Sequence, residues 1–397
     1  VNHWHTIHKQ VRERFDLPLN SQYDREILRK QFKKGFHEIP ENVFFSNNLF
    51  ETKEFEIRVE FQMTPERKIF FEKIEEVGID AIAEAIEHFL ARVEFDSIGI
   101  SVHARAEEKE AIQKNLQPQL IRLLEEKTGK KNHFDAPNVS ILVDLEKKKI
   151  FFQLKPVFVC GRYNKFSRSV AQTVHHCRDC RGRGCRNCQF SGKITADSVQ
   201  EMIARSAEPA FEAEGNKFHG QGREDVDVQM LGTGRRFVFE LLNPKKRNMD
   251  LKELEKEINS DSRIRVHALS LCDVSVVEKT KNSQFDKIYR AVVQCEEKIG
   301  ENELEKLRSA LLSIEQQTPL RVVKRRADLN REKKAQIQEA KTVSGTEFEL
   351  VVRASAGLYI KEFVSGDEGR TRPSVSTLVG KKCRCTELDV LEIVELD

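Results

Sequence analysis

The chain has 397 residues, 39% apolar and 33% charged, and its 67 lysines and arginines against 64 aspartates and glutamates leave a formal net charge of +3. That length suits two or three domains and the apolar share suffices to build cores, which excludes wholesale disorder. No stretch approaches the roughly 20 apolar residues of a membrane span, no signal peptide opens the chain, and the near-neutral balance gives no global argument for nucleic acid. A soluble, cytoplasmic protein is expected.

Residues 1–50 are charged, partly helical in pattern, and read as an accessory segment. Phe55, Ile57, Val59, Phe61 and Met63 alternate, which predicts a half-buried strand over 54–63. Helical spacing follows over 66–93, broken near Gly78, and again over 107–127 with a bend at Pro118. The apolar, β-rich runs 138–145 and 149–159, joined by Glu146-Lys147-Lys148, predict a hairpin. This alternation implies an α/β domain over 51–160. Residues 161–193 lack periodicity and hold eight basic side chains against Asp179 alone, so they read as a basic linker with its own small site. Over 194–397 the pattern predicts helices at 197–207, 250–258 and 301–316. Strands are predicted at 226–231, 236–242, 263–277, 289–295, 347–353 and 388–396. Such runs suggest an α+β domain with a mostly antiparallel sheet. A second basic run, 321–341, carries eight lysines and arginines against Asp328, Glu332 and Glu339. Runs of this kind are solvated faces or polyanion contacts, and two of them in a balanced chain point to RNA or DNA. Arg162, Lys165, Arg168, Arg325 and Arg326 are the candidate phosphate contacts.

Four of the nine cysteines fall as Cys177-x2-Cys180-x4-Cys185-x2-Cys188, with Gly182 and Gly184 between the pairs. Each pair offers two thiolates, and the glycines let the chain fold back so that the pairs converge on one ion. Four thiolates make a closed, tetrahedral, structural zinc site. Disulfides would need an export route, and a redox pair would not need a second Cys-x2-Cys nearby. The other five cysteines are scattered, as in a reducing compartment.

The densest unusual block runs from Gly220 to Arg235, with glycines on both sides of an Arg223-Glu224-Asp225 turn. A carboxylate there is ordinarily a turn former or a surface charge, and Asp227, between Val226 and Val228, would project from a strand's opposite face. Three other segments bear on it: Lys287-Ile-Tyr289-Arg-Ala291, Thr318-Pro319-Leu-Arg321 leading to Arg325-Arg326-Ala-Asp328, and Tyr359-Ile-Lys361-Glu-Phe-Val-Ser-Gly-Asp-Glu-Gly-Arg-Thr371. Arg-x-Asp, then Lys-x-Tyr-x-Ala, then Gly-x-Tyr-Ile-Lys is the motif order of pseudouridine synthases. In their specific forms, with Gly161-Arg-Tyr-Asn-Lys-Phe-Ser-Arg168, these segments resemble the archaeal and eukaryotic tRNA pseudouridine synthases that act on the T loop. The resemblance covers residues 50–397.

The resemblance implies a cofactor-free isomerisation of a T-loop uridine, at positions 54 and 55, in tRNA. Asp225 matches the nucleophile, Tyr289 the tyrosine that stacks on the target base, and Lys361 the basic partner of the aspartate; Arg223 belongs to the same motif. Residues 51–160, with Asp135-Ala-Pro-Asn-Val139, look like a THUMP domain, an RNA-binding module. The physics of these residue types agrees: a carboxylate attacks only when ionised, which a nearby cation favours, and aromatic stacking offsets the cost of extruding a base. Two departures stand out. Arg236 follows Gly-Thr-Gly-Arg where the family has proline, and Lys361, in place of arginine, cannot make a planar two-pronged pair. A non-catalytic tRNA-binding or chaperone protein is the competing reading, disfavoured because Asp225, Tyr289 and Lys361 are all present. An RNA methyltransferase would need a glycine-rich nucleoside loop after a first strand, and none is evident.

Overall fold

The computed structural model describes residues 43–44, 60–61, 70–73, 78–105, 110, 112–133, 135–308 and 310–395. The chain divides into units 1–69 and 70–397. Within the first, β1 (Val43–Phe44) pairs antiparallel with β2 (Glu60–Phe61), and the rest of the predicted strand over 54–63 lies outside the described residues.

In the second unit, residues 70–154 build a five-stranded sheet under two helices. Where a helix was expected from residue 66, Phe70–Lys73 is strand β3, and α1 (Ile79–Leu90) begins only after Gly78. Its residues Ile82, Ala83, Ile86 and Leu90 are buried, one stripe of a 3.6-residue period. Pro118 lies just past the point where a π-helical turn, Ile112–Leu116, runs without a break into α2 (Gln117–Thr128), so the expected irregularity at the proline is present as this wider turn. The strands β4 (Ser97–His103), β5 (Lys131–Asn132), β6 (Val139–Asp144) and β7 (Lys149–Leu154) complete the order β3-β7-β6-β4-β5, with β4 parallel to β5 and β6. The predicted hairpin is present, Asp144 opposite Lys149.

The second apolar run, however, is two strands. Lys155-Pro156 ends β7, and β8 (Val157–Lys165) enters a different, ten-stranded sheet. A boundary at residue 160 would cut β8 in half, so Arg162 and Lys165 are strand residues and not part of a linker. Arg247 clasps this junction: its guanidinium donates to the Lys155 and Pro156 carbonyls at 2.8 and 3.4 Å, and its N–H to Glu94 at 2.7 Å.

The large sheet also contains β9 (Gly215–Gly220), β10 (Gln229–Leu242), β11 (Ile264–Cys272), β12 (Asp286–Cys295), β13 (Leu311–Gln317), β14 (Asn330–Ser344), β15 (Glu347–Ala354), β16 (Thr371–Arg372) and β17 (Cys383–Val394). Their order is β11-β8-β10-β17-β12-β15-β14-β13-β16, with β9 also on β10. All pairings are antiparallel except β10 with β17. The helices are α3 (Val199–Phe211), α4 (Leu251–Ile258), α5 (Ser275–Asn282), α6 (Glu301–Glu305), α7 (Ile360–Ser365) and α8 (Val375–Val379). Ser198 caps α3 and Asp250 caps α4 by accepting first-turn N–H groups.

Several predicted elements change type. The strands expected at 226–231 and 236–242 are one strand, β10, bulged between Met230 and Arg235. Asp227 therefore lies in the turn before β10, not on a strand face. The strand expected to reach 277 stops at Cys272 and α5 follows. The helix expected over 301–316 ends at Glu305; Ile314 and Gln316 alternate inward from β13, whose pairing with β14 overrides the helical look of the segment.

Candidate active site

The single parallel junction of the sheet sets the site. Met230 of β10 is opposite Val390 of β17, and Val390 is opposite Tyr289 of β12. This row brings the loop that feeds β10, residues 221–228, alongside Tyr289. Glu224 turns inward and Asp225 outward. Glu224 lies 3.0 Å from Arg235 as a buried ion pair and accepts from the Tyr163 hydroxyl at 2.9 Å. Arg235 Nε is aligned poorly enough that this contact is an ion pair and not a formed hydrogen bond. Gln172 donates to Tyr163 and to the Gly222 carbonyl at 2.8 and 2.9 Å. Burial keeps the Tyr163 phenol protonated as a donor. A buried pair of this kind is costly to desolvate, so its satisfied partners matter more for fixing the loop than for stability.

Outside the loop, Asp225 accepts from Arg321 Nη1 at 3.2 Å through Oδ1, with Oδ2 3.1 Å away. Lys361 Nζ is 3.5 Å from Asp225 but 2.7 and 2.9 Å from the oxygens of Asp227. Burial opposes the charge on Asp227, but Lys361 outweighs it and holds that carboxyl below its usual range. Arg321 also donates from Nε to the buried Glu362 at 2.6 Å and lies 5.8 Å from the Tyr359 ring centre. Burial works against the Arg321 charge, while Glu362 and Asp225 more than restore it. Arg326 donates to the Tyr359 hydroxyl at 2.8 Å. Burial pushes the Tyr289 phenol up to about 12, so it is neutral at physiological pH.

Asp225, Tyr289 and Tyr359 line a cleft of about 780 Å³, with Arg178, Arg223, Arg235, Lys287, Arg321 and Arg326 against the carboxylates Glu224 and Asp225. Since Glu224 and Asp225 are each engaged by an arginine, the cleft has cationic capacity to spare. It suits a planar, anionic substrate placed beside an outward-facing carboxylate and a tyrosine.

The structure thus brings together Asp225, Tyr289, Lys361 and Arg223, with Arg326 at the same cleft. It does not bring the other proposed phosphate contacts there. Lys165 is fully buried, donating to the Val170 and Val226 carbonyls at 2.8 and 2.7 Å, where no phosphate can reach it. Arg162 pairs with Glu395 at 2.6 Å and Arg168 with Asp389 at 2.7 Å, so both are spent within the fold. The side chain of Arg325 lies outside the described residues. Sequence reasoning missed Arg321 as the principal partner of Asp225, although Thr318-Pro319-Leu-Arg321 was one of the recurring motifs. It also missed Glu362, which directly follows Lys361.

The four clustered cysteines converge. Cys177–Cys185, Cys180–Cys188 and Cys185–Cys188 have Sγ separations of 3.9, 3.8 and 3.6 Å. A tetrahedron with metal–sulfur bonds of about 2.3 Å has edges of about 3.8 Å, so the donor set fits one ion. The Gly184 N–H points at Cys180 Sγ and those of Cys185 and Gly192 at Cys188 Sγ, at 3.2, 3.2 and 3.3 Å. Against burial, the Cys185 and Gly192 amides and the Cys185 and Cys180 thiols draw the Cys188 thiol down to about 6. The four cysteines could hold a metal ion.

The family model described as Pus10, C-terminal, matches residues 158–394, from the start of β8 to the end of β17, and the chain belongs to this family. The tRNA pseudouridine synthase Pus10 of Archaeoglobus fulgidus is 45% identical over 285 residues, 71% of this chain and 79% of that protein. Its counterpart in Methanocaldococcus jannaschii is 43% identical over 261 residues, 65% of this chain; the match spans 58% of that longer relative. A chain of the Cbf5-Nop10-Gar1 complex is similar over 49% of this chain and 44% of its own, at 16% identity and a TM-score of 0.29.

Proposed function

We propose that this chain is a tRNA pseudouridine synthase acting on T-loop uridines 54 and 55, with Asp225 as the nucleophile. The observation that supports this best is the outward carboxylate of Asp225, held by Arg321 in a cationic cleft beside Tyr289. The target uridine leaves its stack and its base lies on Tyr289, which offsets about 1–3 kcal/mol of the extrusion cost. Asp225 attacks the nucleotide and forms a transient covalent bond; the C1′–N1 bond breaks, the base turns, the C1′–C5 bond forms and the bond to Asp225 breaks to free its carboxylate, as C5 loses a proton and N1 gains one. Atoms balance within the substrate, so no organic cofactor enters. Arg321 and Lys361 hold the carboxylate in place, and Arg223 and Arg326 meet the flanking phosphates.

The four cysteines hold one structural zinc in this reading, since four thiolates leave no position for a reacting water. The 70–154 module acts as a THUMP-like grip on the tRNA. A cytoplasmic setting follows from the tRNA substrate and from thiolates that need reducing conditions. The test is to incubate the protein with unmodified tRNA transcript and map pseudouridine chemically. Product at 54 and 55 is expected; a transcript left unmodified overturns the reading. Elemental analysis of the reduced protein should find one zinc per chain.

A further inference from the structure

The cysteine loop does more than lie near the cleft, because residues at its neck form part of the cleft lining. His176 and Arg178 flank Cys177, and Ile194 returns from the loop's far end; all three line the same cavity as Asp225. Backbone bonds zip this neck: Cys177 N–H to the Gly192 carbonyl at 2.7 Å and Ile194 N–H to the His175 carbonyl at 2.8 Å. Inside the loop, Gly182 has φ +92°, and a Cβ built there would stand 2.9 Å from His176 Nδ1. The imidazole therefore rests directly on the chain between the two cysteine pairs. Ile194 is 58% exposed, a large apolar surface turned to a cleft otherwise rich in charge. Arg178 has no carboxylate partner among the described residues.

We propose that this neck is a binding subsite for the unpaired nucleotide next to the reacting uridine, with its base against His176 and Ile194 and its phosphate at Arg178. The inference rests on the RNA reading of the cleft and extends it. The cysteine cluster then contributes to substrate binding through position alone: four thiolates on one ion fix Gly182, and Gly182 carries the ring that meets the base. The metal takes no part in the chemistry.

The experiment compares wild type with the double variant His176→Ala, Ile194→Ala, which leaves all four cysteines intact. Each is titrated with a T-stem-loop RNA and with the same RNA carrying a single abasic nucleotide on either side of the target. Wild type should bind one of the abasic RNAs at least about fivefold more weakly than the intact one, the lower bound for losing a base-stacking contact. The double variant should bind intact and abasic RNAs equally, because the contact is already gone. Cys185→Ser should lose the metal and show the same flattened ratio. The proposal is overturned if the double variant, with one metal per chain, keeps the wild-type ratio, or if wild type is indifferent to both abasic positions. Pseudouridine formation by wild type on the intact RNA reports separately on the function.

Discussion

Asp225 and Asp227 lie two residues apart and share Lys361, but the lysine is 3.5 Å from the first and 2.7 Å from the second. Asp227 thus anchors the lysine, while Asp225 lines the cleft with both carboxylate oxygens within 3.2 Å of Arg321. Asp225→Asn preserves size and removes the proposed nucleophile, so turnover should fall by more than about a thousandfold while the tRNA Kd stays within about twofold. An active Asn variant refutes the mechanism. That Asp225, Tyr289 and Lys361 lie close together was legible because motif order alone marks them, although Lys361 bonds Asp227 and only approaches Asp225. Arg321 was not, since one guanidinium inside a run of cations reads as surface charge until the fold sets it against a carboxylate 96 residues away. Lys287 gives the site a pH dependence. Burial and Arg235 push it from 10.5 to about 8, with Asp286 opposing and Lys333 adding to the shift. Its folded value is depressed, so between about 8 and 10.5 only the unfolded chain keeps the proton, and this group's share of stability rises with pH there. RNA affinity moves the other way. The Kd should rise as pH passes through about 8, and Lys287→Arg should remove that step. Lys165, also lowered to about 8 by burial, is sealed behind the loop and makes no such phosphate contact.

At the level of elements, the junction of β10 with β17 leaves no room for a side chain at Gly232. Gly232 has φ +58°, and a Cβ there would fall 1.9 Å from the Leu391 carbonyl oxygen, backbone that has nowhere to move. Gly232→Ala should cost about 2–3 kcal/mol, a drop in Tm of roughly 5–10 °C by calorimetry. Unchanged melting would mean that the bulge is not held as described. The same bulge explains a misreading: Gly232 to Arg235 looked like a loop between two strands because bulge glycines and turn glycines are alike in sequence. α3 and α4 could be read because cap and apolar stripe agree. β14 could not, since its buried Ala335, Ile337 and Ala340 are small or sparse between charged residues facing solvent.

For the whole molecule, a net charge of +3 conceals a local surplus at the cleft. Binding should therefore weaken steeply with salt despite the balanced composition. Arg326→Ala should flatten the slope of log K on log salt by roughly 0.7–0.9 if it meets one phosphate; an unchanged slope removes it from the footprint. The junction at Lys155-Pro156 has a consequence of another kind. Two residues and the clasp of Arg247 leave the α/β module no slack against the large sheet. If both parts touch one RNA, the molecule works as a caliper and not as a hand on a cord: it measures the span between the point gripped and the base turned out. Lengthening the T stem by one base pair should then impair wild type, whereas a Gly-Ser insertion after Lys155 combined with Arg247→Ala should accept both lengths, trading discrimination for reach.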